Sequence, residues 1–404
     1  MKKKVLVTGM NMITALGLDL EASWENMKAG KNGVKRITLF DPEGLQTQVA
    51  AQVPDEFGEY AAGFIRKRTA GQMTRVTQMA YVCSVDAVKN AAIDFEQMDR
   101  SRCAVILGVV STANTSAEQG TTPKNTVLKS MNNAMSAWIS LEFKLLGPNF
   151  TVASACASSA YAMGIAYDMI SSGTVDMVIT GGADSIINRE EIEGFNELYA
   201  LSVNPDPEKA SCPFSRDRDG FVVGEGAGMM ILESEESARR RNARVYAELA
   251  GYAITSEAYN IMAPMKDGEG IRHTISEALK NAGVKPEEVD YINAHGTSTT
   301  LNDMYETMAI KKVFGERAYQ IPVSSTKSMI GHTVGAAGVI EGIVTVMSIL
   351  NDTVTPTIHL DDPDPELDLD YVPDQARKHR INCAISNSFA FGGHNATLVF
   401  KKYA

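Results

Sequence analysis

The chain has 404 residues, of which 44% are hydrophobic and 22% are charged, and its formal net charge is −11. This composition is typical of a globular α/β protein and is sufficient for a large core. The negative charge argues against nonspecific binding to nucleic acid, which requires a positively charged surface, but it permits a local basic patch that could bind an acidic partner.

The N-terminus and the cysteines indicate the compartment. The opening MKKKVLVTGM is basic but has only a short apolar run, so we predict a first strand rather than a signal peptide. The chain has 5 cysteines and no CxxC pair, which favours free thiols in a reducing environment. No apolar stretch reaches the roughly 18 residues needed to span a bilayer. We therefore predict a cytoplasmic protein that does not enter a membrane.

Strands and helices are predicted to alternate along the first half of the chain. A β-rich run predicts a strand over 4–7 that ends in a turn at Thr8-Gly9, and apolar residues at helical spacing predict a helix over 75–92. Short apolar runs predict strands over 103–110, 150–153, 176–180 and 228–232, and a pattern rich in small residues predicts a helix over 157–170.

The second half repeats this order of elements. Its predicted strands are 247–254, 291–294, 321–324, 381–386 and 396–401, and its predicted helices are 271–282, 303–314 and 335–350. Residues 355–373, rich in proline and aspartate, are expected to form a surface loop. The alternation predicts a layered α/β fold, and we divide the chain into two related halves that share one core, 1–245 and 246–404.

Cys156 is the first candidate for catalysis. It stands in TVASACASSA, between a predicted strand and a helix rich in small residues. A thiol at a helix N-terminus lies in positive potential, which favours the thiolate, and free backbone N–H groups there can bind an oxyanion. The alternative is a buried structural cysteine, which is what a free cysteine most often is.

Two histidines each follow a predicted strand, where α/β sheets place ligands. His295 stands in NAHGTST, and His332 stands in STKSMIGH, five residues after Lys327. A single histidine is more often structural than catalytic. Lys327 is either a solvated surface charge or a residue that orients a catalytic network.

A turn and three carboxylates complete the candidates. NSFAFGGHN, residues 387–395, predicts a tight turn that is either a hairpin with buried aromatic side chains or a mobile loop beside the site. Asp303 and Glu306 lie on the helix predicted after His295, and Glu341 follows the second histidine; each alone is compatible with a surface or helix-capping charge. Zinc accepts thiols and imidazoles, but the sequence contains no compact Cys/His cluster, so no metal is expected.

Taken together, these segments resemble the β-ketoacyl-ACP synthase II family of thiolase-fold condensing enzymes. The resemblance extends from VLVTGM at 5–10 to NATLVF at 395–400 and includes the block CPFSRDRDGFVVGEGAG at 212–228. The ordered set of the cysteine, NAHGTST, STKSMIGH and NSFAFGGHN is highly specific. The resemblance implies a five-layer αβαβα fold with two pseudo-symmetric halves, and a dimer.

The resemblance also implies a reaction and a role for each residue. Cys156 would take an acyl chain from acyl carrier protein, His295 and His332 would promote malonyl decarboxylation and stabilise the enolate, and Lys327 would support them. The backbone N–H groups of Cys156 and Phe391 would form the oxyanion hole. The remaining matches are the gating side chain and the polar residues around the site: Phe391, Asp303, Glu306 and Glu341. The product would be a β-ketoacyl thioester two carbons longer, formed without a metal or redox cofactor.

Some positions depart from the fatty-acid pattern. Ala390 replaces the first glycine of a loop that usually reads FGFGG, which is expected to stiffen the gate. The segment 120–143, with Lys124 and Trp138, is unlike housekeeping sequences, and we expect it near the dimer interface and the far end of the acyl pocket. These departures make a specialised polyketide or polyene pathway credible beside fatty-acid synthesis.

The partners implied by the resemblance are a carrier protein and a second subunit. Residues 200–209 lack the arginine often used for carrier docking, which leaves Arg66, Lys67 and Arg68 as a candidate basic docking patch. The second subunit would complete either a homodimer or a heterodimer with a chain-length-factor-like protein.

Three alternatives can be compared with the sequence. A thiolase would normally carry a second cysteine in its C-terminal glycine loop, but this chain has Phe391 there and Cys383 lies outside the loop. Ketosynthase-III and chalcone-synthase types use a Cys-His-Asn set, against which the two histidines argue. A non-catalytic chain-length factor would lack the nucleophile, whereas Cys156 is present.

Overall fold

A computed structural model describes residues 2–111 and 126–403. Its strands, in chain order, are β1 (Val5–Ile13), β2 (Lys35–Arg36), β3 (Val49–Ala50), β4 (Cys103–Gly108), β5 (Asn149–Val152), β6 (Met177–Asp184), β7 (Gly226–Ser234), β8 (Ala247–Ser256), β9 (Tyr291–Asn293), β10 (Val323–Ser324), β11 (Thr353–Val354), β12 (Arg377–Lys378), β13 (Cys383–Ala390) and β14 (His394–Lys401).

The α-helices follow the same alternation. They are α1 (Leu20–Lys28), α2 (Phe57–Ala62), α3 (Lys67–Ala70), α4 (Arg75–Asn90), α5 (Thr126–Ser130), α6 (Ala134–Phe143), α7 (Ser158–Ser171), α8 (Arg189–Glu197), α9 (Pro207–Ala210), α10 (Glu235–Arg240), α11 (Glu269–Ala282), α12 (Thr300–Phe314), α13 (Lys327–Ile330) and α14 (Ala337–Asn351).

The main sheet consists of two five-stranded halves with the same pairing pattern. Its strand order is β10-β9-β13-β14-β8-β1-β7-β6-β4-β5, and β1 pairs with β8 where the halves meet. In each half, counted from the outer edge, two parallel pairings are followed by two antiparallel ones. This repetition is the pseudo-symmetry that the sequence resemblance implied.

Five layers follow from the packing of the helices on this sheet. α4 and α6 cover the outer face of the N-terminal half, and α11 and α12 cover the outer face of the C-terminal half. α7 and α14 contact each other and strands of both halves, so they form the central layer. The expected αβαβα arrangement is confirmed. It brings the N-termini of α7 and α14, which follow β5 and β10, into the interior between the halves.

The central helix α14 is unusually apolar. With the turn before it, the window Val334–Asn351 is long and apolar enough to cross a membrane by length and composition, and 83% of it is buried inside the protein. The expectation that no stretch would reach this length was therefore wrong. The burial is that of a core helix packed between two sheets, as its contacts with α7, β7 and β13 require.

Most predicted elements are present, and two strands continue through glycines where they were expected to end. β1 continues past Thr8-Gly9, where a turn was expected, because the chain forms a β-bulge between Val7 and Gly9 and stays paired with β7. β6 likewise runs through Gly181 and Gly182 to Asp184. Gly181 has φ +145°, and a Cβ there would lie 2.1 Å from the Gly228 carbonyl oxygen, so close strand approach explains the glycine.

Candidate active site

Cys156 lies in a strained connection between β5 and α7. The preceding Ala155 has φ +47°, a left-handed conformation that non-glycine residues seldom adopt. It is held there by the Ser158 hydroxyl, which donates to the Ala155 carbonyl at 2.7 Å and accepts from the Ser154 N–H at 2.9 Å. Strain of this kind is typical of functional sites, and it points the sulfur into a cavity in front of α7.

The sequence predicted that a helix N-terminus would favour the thiolate of Cys156, whereas burial acts in the opposite direction. Burial raises the pKa of the Cys156 thiol to about 12, and the opposing effect of the Lys327 ammonium is smaller. Asp184 raises this pKa further. Desolvation is therefore the largest effect, and it favours the protonated thiol.

His295 is positioned by a carboxylate beneath its backbone. Glu306 on α12 accepts from the His295 N–H at 2.9 Å, from the Gly296 N–H at 2.9 Å and from the Asn387 side-chain amide at 3.1 Å. Glu306 is fully buried, and burial raises its pKa. Glu306 is thus not a surface charge; it holds the turn that carries the histidine at the end of β9.

Lys327 is 2% exposed, so the alternative of a solvated surface charge is excluded. Its ammonium donates to the His295 carbonyl at 2.6 Å, contacts His295 Nδ1 at 3.3 Å and pairs with the Glu341 carboxylate. Burial raises the pKa of Glu341 to about 7, and Lys327 opposes this shift. An ammonium can only donate, so Nδ1 of His295 accepts and the neutral ring carries its proton on Nε2.

His332 is fixed from both sides. Its backbone N–H donates to the Val222 carbonyl at 2.7 Å, and its carbonyl accepts from the Gly224 N–H at 2.9 Å. The Val334 N–H donates to His332 Nδ1 at 3.3 Å. The proton of the neutral ring is therefore on Nε2, which is buried and has no hydrogen-bond partner within residues 2–111 and 126–403.

The three predicted reactive side chains share one cavity. A pocket of about 340 Å³ is lined by Cys156, His295, His332 and Phe391. The two imidazole rings lie 5.4 Å apart between centroids and are nearly perpendicular, at 86°. Burial first, and then the Lys327 ammonium, lowers the pKa of both imidazoles well below the usual value. Both rings are consequently neutral hydrogen-bond donors at neutral pH.

Phe391 sits in the short turn between β13 and β14, where the sequence predicted a tight connection. Gly392 and Gly393 have φ +82° and +71°, so the turn needs residues without a Cβ. Ala390 has φ −130° and ψ 156°, an extended conformation that alanine adopts without strain. The alanine therefore fits the loop as it stands, and it lines the cavity beside Phe391.

The remaining predicted residues lie at different distances from the cavity. Asp303 is buried and accepts from the Phe214 N–H at 2.9 Å, with Arg218 nearby at 3.9 Å, so it supports the start of α12. Arg66, Lys67 and Arg68 are exposed at and before α3 and do not line the cavity. In the segment 120–143, residues 120–125 and with them Lys124 lie outside the described residues.

Sequence reasoning missed two buried carboxylates beside the site. Asp184, at the end of β6, accepts from the backbone N–H groups of Val110 and Gly335, both at 3.1 Å. Glu257 lines the cavity and accepts from the Asn395 amide at 2.9 Å. Neither has a local motif; the glycine pair before Asp184 was the one available signal. Within the described ranges, no group of three His, Cys, Asp or Glu side chains is arranged to bind a metal ion.

Two family models cover most of the chain. Residues 2–238 match the model described as the N-terminal domain of β-ketoacyl synthase, and residues 246–361 match its C-terminal domain. The curated 3-oxoacyl-acyl-carrier-protein synthase 2 of Synechocystis is 43% identical over 100% of this chain and 99% of its own length. The protein of the same name from Staphylococcus aureus strain COL is 41% identical over 99% of both chains.

Solved structures give the same picture. The ishigamide ketosynthase/chain length factor superposes with a TM-score of 0.92 at 32% identity, and a β-ketoacyl synthase from Burkholderia phymatum with 0.89 at 33%. The type II polyketide ketosynthase AntDE, in complex with its acyl-carrier protein AntF, superposes with 0.89 at 30%. Each comparison covers 100% of both chains.

Proposed function

This chain belongs to the β-ketoacyl synthase family, and we propose that Cys156, His295, His332 and Lys327 carry out its reaction. The enzyme is an acyltransferase that forms β-ketoacyl thioesters by decarboxylative condensation, in fatty-acid or polyketide synthesis. The observation that supports this assignment best is the cavity itself, where one thiol and two neutral imidazoles converge.

The first step is transfer of an acyl group to Cys156. The sulfur attacks the thioester carbonyl, the carrier thiol leaves, and the proton of Cys156 ends on that thiol, so no net proton is consumed. The thiolate forms only in passing because its pKa is about 12. The N-terminus of α7 and the Lys327 ammonium stabilise it at that moment. The backbone N–H groups of Cys156 and Phe391 hold the oxyanion.

The second step is decarboxylation of a malonyl thioester. Loss of carbon dioxide leaves an enolate, whose oxygen accepts hydrogen bonds from Nε2–H of His295 and of His332. Lys327 and Val334 keep both Nδ1 atoms as acceptors, so that both donors face the substrate. Neutral donors suit this step because they stabilise the enolate without protonating it. The enolate carbon then attacks the acyl carbonyl on Cys156, and the sulfur leaves as a thiolate that takes one proton from solvent to restore the resting thiol.

Acyl carrier protein is the proposed source of both thioesters. AntF, the carrier named with the related AntDE, supports this choice. The exposed residues Arg66, Lys67 and Arg68 are the proposed docking patch, since a basic surface suits an acidic partner. We place the enzyme in the cytoplasm, where its relatives in fatty-acid synthesis would share its substrates.

A second subunit is proposed to cover the surface around α5, α6 and β5. Val127, Leu128 and Leu141 are each more than 60% exposed there, which is unusual for large apolar side chains. The partner is a second copy of the chain or a chain-length-factor-like subunit, as in the ishigamide relative. We further propose that the halves 1–245 and 246–404 contribute the thiol and the two histidines, respectively.

The alternatives weighed from the sequence are disfavoured by placement. Cys383 lies at the opposite end of β13 from Ala390, roughly 23 Å away at 3.3 Å per residue. It therefore cannot serve as the second cysteine of a thiolase. A non-catalytic chain-length factor would not need a nucleophile. The presence of Cys156 together with Lys327 and two oriented imidazoles therefore disfavours this alternative.

The assignment of the nucleophile is tested by acyl transfer. Purified protein is incubated with acyl-loaded carrier, and its intact mass is measured. We expect a single acyl adduct in the unaltered protein and in the control Cys383→Ser, and none in Cys156→Ala. An adduct that persists in Cys156→Ala would refute the assignment.

A further inference from the structure

Asp184 is a fully buried carboxylate that joins three segments of backbone. One oxygen accepts from the Val110 N–H and from the Gly335 N–H, each at 3.1 Å, and the other accepts from the Ser185 N–H at 3.1 Å. Val110 follows β4, and Asp184 ends β6, so these belong to the half that carries the thiol. Gly335 belongs to the turn that follows His332. One side chain therefore ties the two sides of the cavity together.

The turn tied by Asp184 is strained. Val334 has φ +45°, which is a pronounced outlier for a β-branched residue. Such strain persists only where the surroundings hold it. The Val334 N–H donates to His332 Nδ1, and the N–H of the following residue, Gly335, donates to Asp184 Oδ2. The two hydrogen bonds flank Val334.

Gly335 is required by the close approach of this carboxylate. A Cβ on Gly335 would lie 2.6 Å from Asp184 Oδ2, a distance that real side chains do not tolerate, and 3.0 Å from the Val110 nitrogen, which is a tight contact. The contact between Asp184 and Gly335 is therefore a close-packed interior contact rather than a loose hydrogen bond at the surface.

We propose that Asp184 is a positioning residue that fixes the tautomer of His332. By holding the Gly335 N–H, it keeps Val334 in its strained conformation, and Val334 then keeps its own N–H on His332 Nδ1. Without this anchor the turn relaxes, Nδ1 is free to carry the proton, and Nε2 can no longer donate into the cavity. The consequence for enolate stabilisation rests on the proposed function, whereas the tautomer itself does not.

The test reads the tautomer directly. In protein labelled with ¹⁵N-histidine, long-range ¹H–¹⁵N correlation spectra distinguish Nε2–H from Nδ1–H, and His332→Ala identifies the His332 signal. We expect the Nε2–H form in the unaltered protein and a mixture or the Nδ1–H form in Asp184→Ala. His295 is an internal reference because Lys327, not Asp184, sets its tautomer. A pure Nε2–H signal for His332 in folded Asp184→Ala would overturn the proposal.

Further variants separate positioning from general damage. Gly335→Ala places a Cβ against Asp184 and so disrupts the hydrogen bond between the Gly335 N–H and Asp184. It should change the tautomer of His332 in the same way as Asp184→Ala. Asp184→Asn can still present one oxygen to Val110 and Gly335, so it should keep the Nε2–H form; a loss equal to that in Asp184→Ala would contradict the role of the acceptor. Asp290→Ala is the matched control, because Asp290 Oδ2 also accepts from two backbone N–H groups, at 2.8 and 3.2 Å, away from the cavity.

Activity supplies a second readout. Carbon dioxide release from a malonyl thioester should fall by about 10²-fold in Asp184→Ala, the scale of losing one oxyanion donor, and should be unchanged in Asp290→Ala. If the unaltered protein releases no carbon dioxide, the proposed function fails, while the tautomer comparison still decides the role of Asp184. Unchanged release in Asp184→Ala together with a changed tautomer would contradict the link between the two.

Discussion

At the sulfur of Cys156, the proposed nucleophile, two physical effects act in opposite directions. The N-terminus of α7 and the Lys327 ammonium favour the thiolate, and burial among apolar side chains disfavours it. Burial prevails, since the pKa of Cys156 is raised to about 12. A thiol with a raised pKa is expected to react slowly with alkylating agents and oxidants at neutral pH, because the thiolate is the reactive form.

This balance predicts how alkylation of Cys156 depends on pH. The rate with iodoacetamide should keep rising beyond pH 10 instead of levelling off near 8.5, the ordinary thiol pKa. Lys327→Met should slow alkylation at pH 8 further, because Lys327 lowers the pKa of Cys156. Peptide mass mapping follows Cys156 specifically, and Lys280→Met, at a side chain that is 71% exposed, is the control. A plateau near pH 8.5 would contradict the raised pKa.

At the scale of elements, α7, which begins just after Cys156, packs closely against α14. Gly338 on α14 faces Ala160 on α7, and a Cβ on Gly338 would lie 2.8 Å from the Ala160 Cβ and 3.0 Å from its nitrogen. One turn further along, a Cβ on Gly342 would meet side-chain ends at 3.4 Å, which is ordinary contact. The same helix therefore contains one glycine that cannot be enlarged and one that can.

This pair makes a matched prediction for stability. Gly338→Ala should lower the free energy of unfolding by about 1–3 kcal/mol through overpacking. Gly342→Ala should leave it unchanged or raise it by up to ~1 kcal/mol through better helix propensity. Urea denaturation measures both values. If the two substitutions changed the free energy of unfolding equally, the contact between α7 and α14 would not restrict the size of the residue at Gly338.

Elements with strong local patterns were predictable, and the network around the site was not. α4 and β4 each follow from apolar residues within one segment, and the resemblance supplied Cys156, His295 and His332. Asp184 could not be found in this way, because its partners Val110 and Gly335 are brought to it only by the pairing of β4 with β6 and by the fold of the second half. The buried state of Lys327 likewise depends on α14 delivering Glu341.

At the scale of the whole molecule, the raised pKa values of the cysteine thiols predict that the folded protein loses stability at alkaline pH. Burial raises the pKa of all 5 cysteines, to about 12 for Cys103, Cys156 and Cys383, to about 11 for Cys212, and well above the ordinary value for Cys83. Between about pH 9 and those values, the folded protein keeps protons that the unfolded chain has lost. The free energy of unfolding must therefore fall as pH rises, by about 1.4 kcal/mol per thiol and pH unit.

Urea denaturation at pH 8, 9 and 10, in the presence of reductant, measures this fall. Cys383→Ser removes one thiol far from the cavity. The free energy of unfolding of this variant should fall less steeply with pH, by the contribution of one thiol. A free energy of unfolding that stays constant from pH 8 to 10 would contradict the burial of these groups.

The proposed docking patch for the carrier protein is also a property of the whole molecular surface. Replacing Arg66, Lys67 and Arg68 by glutamate should raise KM for a carrier-bound malonyl group by about tenfold or more, because charge complementarity is lost. Turnover of a malonyl thioester of a small thiol should not change, since the cavity is untouched. Lys280→Glu is the control for reversing an exposed positive charge outside the patch. A KM for the carrier-bound substrate that is the same in the triple variant as in the unaltered protein would exclude these residues from docking.

The most direct test of the account is a single turnover of acyl-loaded enzyme. Protein acylated on Cys156 is mixed with carrier bearing a malonyl group labelled with ¹³C at both carbons that remain after decarboxylation, and the masses of enzyme and carrier are followed together. We predict that the acyl adduct leaves Cys156 as a β-ketoacyl carrier two carbons longer appears with the label, with one carbon dioxide released per chain. An acyl adduct that stays on Cys156 while malonyl-carrier is consumed, or an extended chain formed by Cys156→Ala, would contradict the account.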